Sequence, residues 1–169
     1  SMRHSTDIGD VAVLLGEQLT GLGVEFMSCS FSIIDEEAGV ARYYAMGPND
    51  YTDGVKNVTR VDRSMLGDLI DMEDCLVAIP DIIPGHSLFY TTEPLSDAPA
   101  FADRGRPPRL THRTQEEAER ELDSFRRRWR TPDFLLSRVP RSVIRVPFSH
   151  GSIAVAHFEP DRFNQSDVD

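Results

Sequence analysis

The sequence predicts an α+β domain. Three observations carry that reading: helical periodicity near the start, a change to period two directly after it and again near the end, and a capped amphipathic helix between the two β regions. The length of 169 residues suits one domain, and a chain of this size buries roughly 70% of its unfolded surface.

From about Asp7 to Leu22, the residues Ile8, Val11, Leu15, Leu19 and Leu22 recur every three or four positions and form one stripe. Asp7 is the expected N-cap, with Gly21 and Gly23 as the stop. Gly16 in the interior costs about 1 kcal/mol relative to alanine, so packing must support this helix. From Phe26 the pattern alternates. Met27, Cys29, Phe31 and Ile33 face one way, and Ser28, Ser30 and Ser32 the other. Asp35-Glu36-Glu37-Ala38-Gly39 is a turn and Val40 to Met46 the returning strand, which together predict a β-hairpin. A serine face suits either the close approach of a helix or space for a ligand.

Gly47-Pro48-Asn49-Asp50 starts a loop, and Ser64 is expected to cap a short helix reaching about Met72. The apolar run from Cys75 to Ile79, stopped by Pro80 and Pro84, reads as either strand or loop. Leu95 to Arg113, rich in proline and arginine, reads as a long loop of the functional or mobile kind. Thr114-Gln115-Glu116-Glu117 is a capping box, followed by a stripe of Ala118, Leu122, Phe125 and Trp129. Arg126, Arg127, Arg128 and Arg130 crowd the end of that helix, where cations complement its dipole, and Pro132 terminates it. Ser142 to Phe148 and Ser152 to Phe158, joined by Ser149-His150-Gly151, predict a second hairpin. Phe163 to Asp167 reads as the approach to another helix, capped by Ser166 or Asp167. A helix begun there and not continued predicts a fragment of a longer polypeptide, and Ser1 ahead of Met2 reads as an expression scar.

Charge and composition narrow the function. With 28 acidic and 18 basic residues the net charge is −10, which argues against generalised nucleic-acid binding, since that needs cations to displace counterions. Apart from Lys56 every basic residue is arginine, and the span Arg104 to Arg130 is dense enough in them to form a local basic face. No apolar run reaches the bilayer-spanning length of about 18 residues, and the N-terminus lacks the pattern of a signal peptide, so membrane insertion is not expected and the cytoplasm is the expected compartment. Cys29 and Cys75 stand in no metal or redox spacing and read as core thiols. His4, His86, His112, His150 and His157 fall in no metal-ligand spacing either.

Two stretches carry a resemblance to a known family. Cys29 to Gly39, C-S-F-S-I-I-D-E-E-A-G, resembles the first hairpin of GAF domains. Arg141 to Phe163, R-S-V-I-R-V-P-F-S-H-G-S-I-A-V-A-H-F-E-P-D-R-F, resembles their closing hairpin, which leaves through E-P and an aromatic residue. The match covers about residues 7–46 and 141–169 and leaves 48–138 without a counterpart beyond length and helical content. It implies a central antiparallel sheet of five to six strands, terminal helices on one face, and shorter helices and loops over a ligand pocket on the other. It also implies a regulatory module of a bacterial signalling protein, homodimeric through its terminal helices and joined to an output domain in the same chain.

No catalytic signature accompanies the resemblance. The chain has no G-x-S-x-G, no P-loop and no G-x-G-x-x-G after a strand. GAF domains that hold cyclic nucleotides carry an N-K pair and a later F-x3-D-E; here Lys56-Asn57 is reversed and Phe163-x3-Asp167 is followed by Val168. Neither cysteine has the histidine neighbour that resembles a bilin attachment site. The expected function is therefore a sensor domain that binds a small molecule or relays conformational change to an output domain such as a histidine kinase. The alternative is a thiol enzyme similar to free methionine sulfoxide reductases, in which one thiolate attacks and another resolves. Phe31, Tyr43, Asp81, His86, Phe89, Tyr90 and Arg145 are the candidate ligand contacts. Arg145 is the most informative of them, because an arginine inside an apolar strand must find an anion or reach solvent. The cofactor is left unspecified.

Overall fold

Residues 5–24, 28–52, 58–66, 76–128 and 139–169 are described by a computed structural model, with backbone alone for 5–7 and 125–128. Expectations resting on Phe26, Met27, Lys56-Asn57, the helix beyond Leu66, Cys75, Trp129, Arg130 and Pro132 lie outside the described residues.

The strands are β1 (Ser28–Asp35), β2 (Val40–Pro48), β3 (Val58–Arg60), β4 (Leu76–Ile83), β5 (His86–Pro94), β6 (Arg109–His112), β7 (Ser142–Phe148) and β8 (Gly151–His157). They form one sheet in the order β3-β4-β5-β2-β1-β8-β7-β6. The β3–β4 pair is parallel and every other neighbouring pair antiparallel. This corrects the expected antiparallel sheet of five to six strands: the sheet has eight and is mixed. The helices are α1 (Ser5–Gly21), the single turn α2 (Pro99–Ala102) and α3 (Gln115–Arg128). The described C-terminal segment supplies one 3-10 turn, Gln165–Asp167.

The additional strands have physical reasons for being hard to read. In β4 the run continues through Pro80, and the ladder to β5 shifts register between Ile79 and Ile83. A bulge of this kind tolerates a residue that cannot donate to the ladder, and Asp81 within it has φ 55. Strand β5 is buried along nearly its whole length, so its sequence lacks the alternation that marks a strand with one wet face. Strand β6 is an exposed edge strand, Arg109-Leu110-Thr111-His112, whose charge protects the edge and hides the pattern. The expected long loop from Leu95 to Arg113 thus contains a 3-10 turn, α2 and β6.

Period two gives each strand a role on two faces. The first face holds Cys29, Tyr44, Met46, Val77, Ile79, Leu88 and Tyr90, packed beneath Ala12 and Val13 of α1, with Ile8, Leu15 and Leu19 alongside. At Gly16 an added Cβ would sit 3.3 Å from Met46 Cγ and 3.7 Å from Cys29 Sγ. The glycine that weakens the helix intrinsically therefore lets it lie close to β1 and β2. Helix α1 already includes Ser5, which places Asp7 within the helix and not at its cap.

The second face carries Ala45, Leu76, Ala78 and Phe89, against which Tyr43, Tyr51, Val58 and Leu122 of α3 pack. Beside them lie Val143, Ala154 and Ala156. The capping box of α3 is made: Glu117 N donates to Thr114 Oγ1 at 3.1 Å, and Thr114 N donates to Glu117 Oε2 at 2.7 Å. Near the C-terminus the cap is Asn164, paired reciprocally with Asp167, so the expected cap at Ser166 or Asp167 moves to Asn164. Likewise Asp62 accepts from Ser64 N at 2.9 Å, taking the capping role expected of Ser64. No helix among the described residues is long and apolar enough to cross a membrane.

Candidate functional site

The polar face of β1 becomes the floor of a cavity. Ser28, Ser30 and Ser32 all point to the second face and are buried. Their partners on β8 are Ala156, Ala154 and Ser152, and two of these, Ala154 and Ala156, extend the floor. Such short side chains leave a hollow where longer ones would fill the space between sheet and helices. The hollow measures about 70 Å³, well above the ~10–15 Å³ that a cavity needs to admit one water. Its walls are Tyr43, Tyr51 and Glu93 on one side and Val143 and Arg145 on the other, and Pro99, Arg113, Glu121 and Pro140 complete it.

Arg145 is held by a buried carboxylate. Its side chain is 18% exposed, with Nε 3.5 Å from Oδ2 of Asp103, whose own side chain is 5% exposed. Arg109 donates to the same oxygen at 2.8 Å, and Arg145 Nη1 donates to Ser152 Oγ at 3.3 Å. Burial pushes the Arg145 pKa down, opposed by the nearby Tyr43 and Asp103 and reinforced by Arg109 and Arg113. Guanidinium nonetheless stays charged in proteins, so this wall of the cavity is cationic. Arg113 is anchored through Nη1 to the Pro140 carbonyl at 2.8 Å. Glu93, Arg113, Glu121, Tyr43 and Tyr51 all have interacting neighbours.

The sequence candidates divide by face. Tyr43 and Arg145 meet at the cavity. Phe31 and Tyr90 belong to the opposite face, packed with the α1 core. Phe89 shares the cavity's face but stacks edge-on with Tyr51, ring centroids 5.9 Å apart. Asp81 is exposed in the β4 bulge and accepts from Asn49 Nδ2. His86 lies at the strand end with Nδ1 3.0 Å from Pro84 O. Glu93, Arg113 and Glu121 were missed, and so were Pro99 and Pro140. The alternating serines were the one local signal of this site; the acidic and arginine walls come from distant segments that only the topology assembles.

Several other expectations find a place here. The Arg104 to Arg120 part of the basic region is substantially paired: Arg104 with Glu36, Arg109 with Asp103 and Arg120 with Glu116. The Phe163-x3-Asp167 pattern serves the C-terminal cap. Among the described residues no group of histidine, cysteine and carboxylates is disposed to hold a metal ion.

Cys29 faces away from the cavity and is fully buried under α1. Burial pushes its thiol up to about 12 from an ordinary 9.0, so at neutral pH it is not the thiolate that redox attack requires. A stability consequence follows. Between pH 9 and about 12 the unfolded thiol ionises while the folded one keeps its proton. The folded state then binds more protons, and stability falls with rising pH by up to about 1.4 kcal/mol per unit. Urea denaturation from pH 8 to 11 is expected to show a smaller alkaline loss for Cys29→Ala than for the wild type. Equal losses would contradict this assignment.

No family model, no curated protein and no solved structure matches this chain.

Proposed function

We propose that this chain is a regulatory sensor domain related to GAF domains, which binds a small molecule on the serine face of β1 and passes the change to an output domain of a signalling protein. The observation that carries the reading is the cavity floored by Ser28, Ser30 and Ser32. Its volume favours a small polar molecule over a nucleotide or tetrapyrrole. In support, the two stretches that resemble GAF hairpins lie side by side through the β1–β8 pairing.

Strand β1 supplies a route for the signal. Its serines meet the cavity, while Cys29 on its other face lies against Gly16 of α1. A ligand that favours one arrangement of β1 and α1 shifts the population toward it; one that binds both equally carries no signal. Ile8, Leu15 and Leu19 are occupied by the protein's own sheet. The helix therefore offers a second copy its other side, where Leu14 is 54% exposed; Leu22, expected in the buried stripe, follows the end of α1 and is 77% exposed.

A thermal-shift screen of amino acids, nucleotides, haem and other tetrapyrroles tests the reading. A ligand at 100 times its Kd is expected to add about 2.7 kcal/mol of stability, and Ser30→Leu, which fills the floor, is expected to abolish the shift while still unfolding cooperatively. Stabilisation that survives Ser30→Leu, or no stabilising compound at all, contradicts it.

A further inference from the structure

We propose that the ligand of this cavity carries a carboxylate, held by the guanidinium of Arg145 and the hydroxyl of Ser32. The inference rests on the cavity being a binding site and adds the chemistry by which one end of the occupant is recognised.

The first observation is a largely buried guanidinium with donors to spare. Arginine carries five N–H donors. In Arg145, Nη1 donates to Ser152 Oγ at 3.3 Å. Its Nε stands 3.5 Å from Asp103 Oδ2, close enough to pair the charges and too long for a good hydrogen bond. That oxygen already takes a 2.8 Å hydrogen bond from Arg109. Among the described residues Arg145 makes no further hydrogen bond. Donors left without an acceptor in a buried site are costly, and a carboxylate in the guanidinium plane supplies two acceptors.

The serine floor has the same surplus. Ser28, Ser30 and Ser32 are 7%, 5% and 5% exposed, and among the described residues their hydroxyls make no hydrogen bond. Strand register sets one of them beside the guanidinium. Ser32 lies directly opposite Ser152 across β1 and β8, and such residues start their side chains about 5 Å apart on the same face. Ser152 is the residue that Arg145 reaches. One carboxylate therefore spans from the Arg145 donors to the Ser32 hydroxyl.

Charge selects a single negative group. Asp103 is one carboxylate shared by two guanidinium groups, Arg109 and Arg145, so the three keep one net positive charge. Of the charges that act on Arg145, Asp103 is the carboxylate, and Arg109 and Arg113 are cations. Glu93 rises from β5, four strand spacings from β7, which is about 19 Å at a spacing of about 4.8 Å. The Arg145 end of the cavity is therefore the cationic one.

Titration calorimetry with acetate, L-lactate and benzoate tests the proposal, each acid compared with its neutral amide. At least one acid is expected to bind at least about tenfold more tightly than its amide. Arg145→Met is expected to abolish that preference, and it leaves Asp103 paired with Arg109, so it is expected to fold. Should it unfold, Ser32→Ala is expected to lower the acid's affinity about tenfold. Equal binding of acid and amide, or tighter binding of inorganic phosphate than of any acid, overturns the carboxylate and leaves the binding cavity standing. A preference unchanged in folded Arg145→Met, or an acid affinity unchanged in folded Ser32→Ala, does the same. So does Ser30-dependent stabilisation by an uncharged or cationic compound when no acid binds. Absence of Ser30-dependent binding by anything in the wider screen overturns both readings.

Discussion

Gly151→Ala is expected to destabilise the protein by about 3 kcal/mol, and Gly151→Val by more. The reason is a close approach of two backbones. A Cβ on Gly151 would lie 1.9 Å from the carbonyl oxygen of Ser32 and 3.0 Å from Phe148 Cζ. A side-chain end could rotate away, but the Ser32 carbonyl belongs to the β1–β8 ladder, where Gly151 pairs with Ile33. The adjoining bond from Ile34 N to His150 O, 2.7 Å long, fixes the same corner. Relief requires separating β8 from β1, and that pairing joins the N-terminal and C-terminal hairpins and forms the cavity floor. Urea denaturation measures the effect. A midpoint unchanged in Gly151→Ala would mean that the two hairpins do not meet in this register.

Asp103→Ala is expected to cost about 3–5 kcal/mol, the range for removing one partner of a buried ion pair. Asp103 sits just after α2 and is almost inaccessible, with Arg109 and Arg145 converging on one of its oxygens. Without the carboxylate, the largely buried Arg145 keeps its charge and loses its counter-ion. Arg109 is 46% exposed in its side chain and can turn to water, so it contributes little to the loss. The double variant Asp103→Ala with Arg145→Met is therefore expected to be more stable than Asp103→Ala alone, a strongly non-additive cycle. A single-variant loss below about 1 kcal/mol, or additive losses, would mean that Arg145 is neutralised elsewhere. The pair also joins α2 to β7, so it ties one part of the cavity's surround to a wall.

How much of this was legible in the sequence depends on where each pattern's cause lies. The stripe of α1, both hairpins and the capping box of α3 are local: hydrophobic period, turn residues and reciprocal caps sit within a few positions of each other. Strand β5 was not legible, because burial on both sides erases alternation, and β4 was obscured because Pro80 normally argues for a stop. The site shows the same division. Ser28, Ser30 and Ser32 announced a face without bulk, and Arg145 announced a need for either an anion or an outlet to solvent. That its anion would be Asp103, and that Glu93 and Glu121 would share the cavity, follows from contacts between segments far apart in sequence. Phe31 and Tyr90 were credible aromatic contacts until the strand register placed them on the α1 side.

The claim on which the rest depends is that small molecules bind on the second face, over β1 and β8. Amide chemical-shift mapping of a stabilising compound from the screen measures this directly. Shifts are expected at Ser28, Ser30, Ser32, Ala154 and Ala156, with the largest side-chain changes at Arg145 and Glu93. Shifts concentrated instead in the exposed β4 bulge around Asp81, or on the outer side of α1 at Leu14, with those floor residues unmoved, would contradict it.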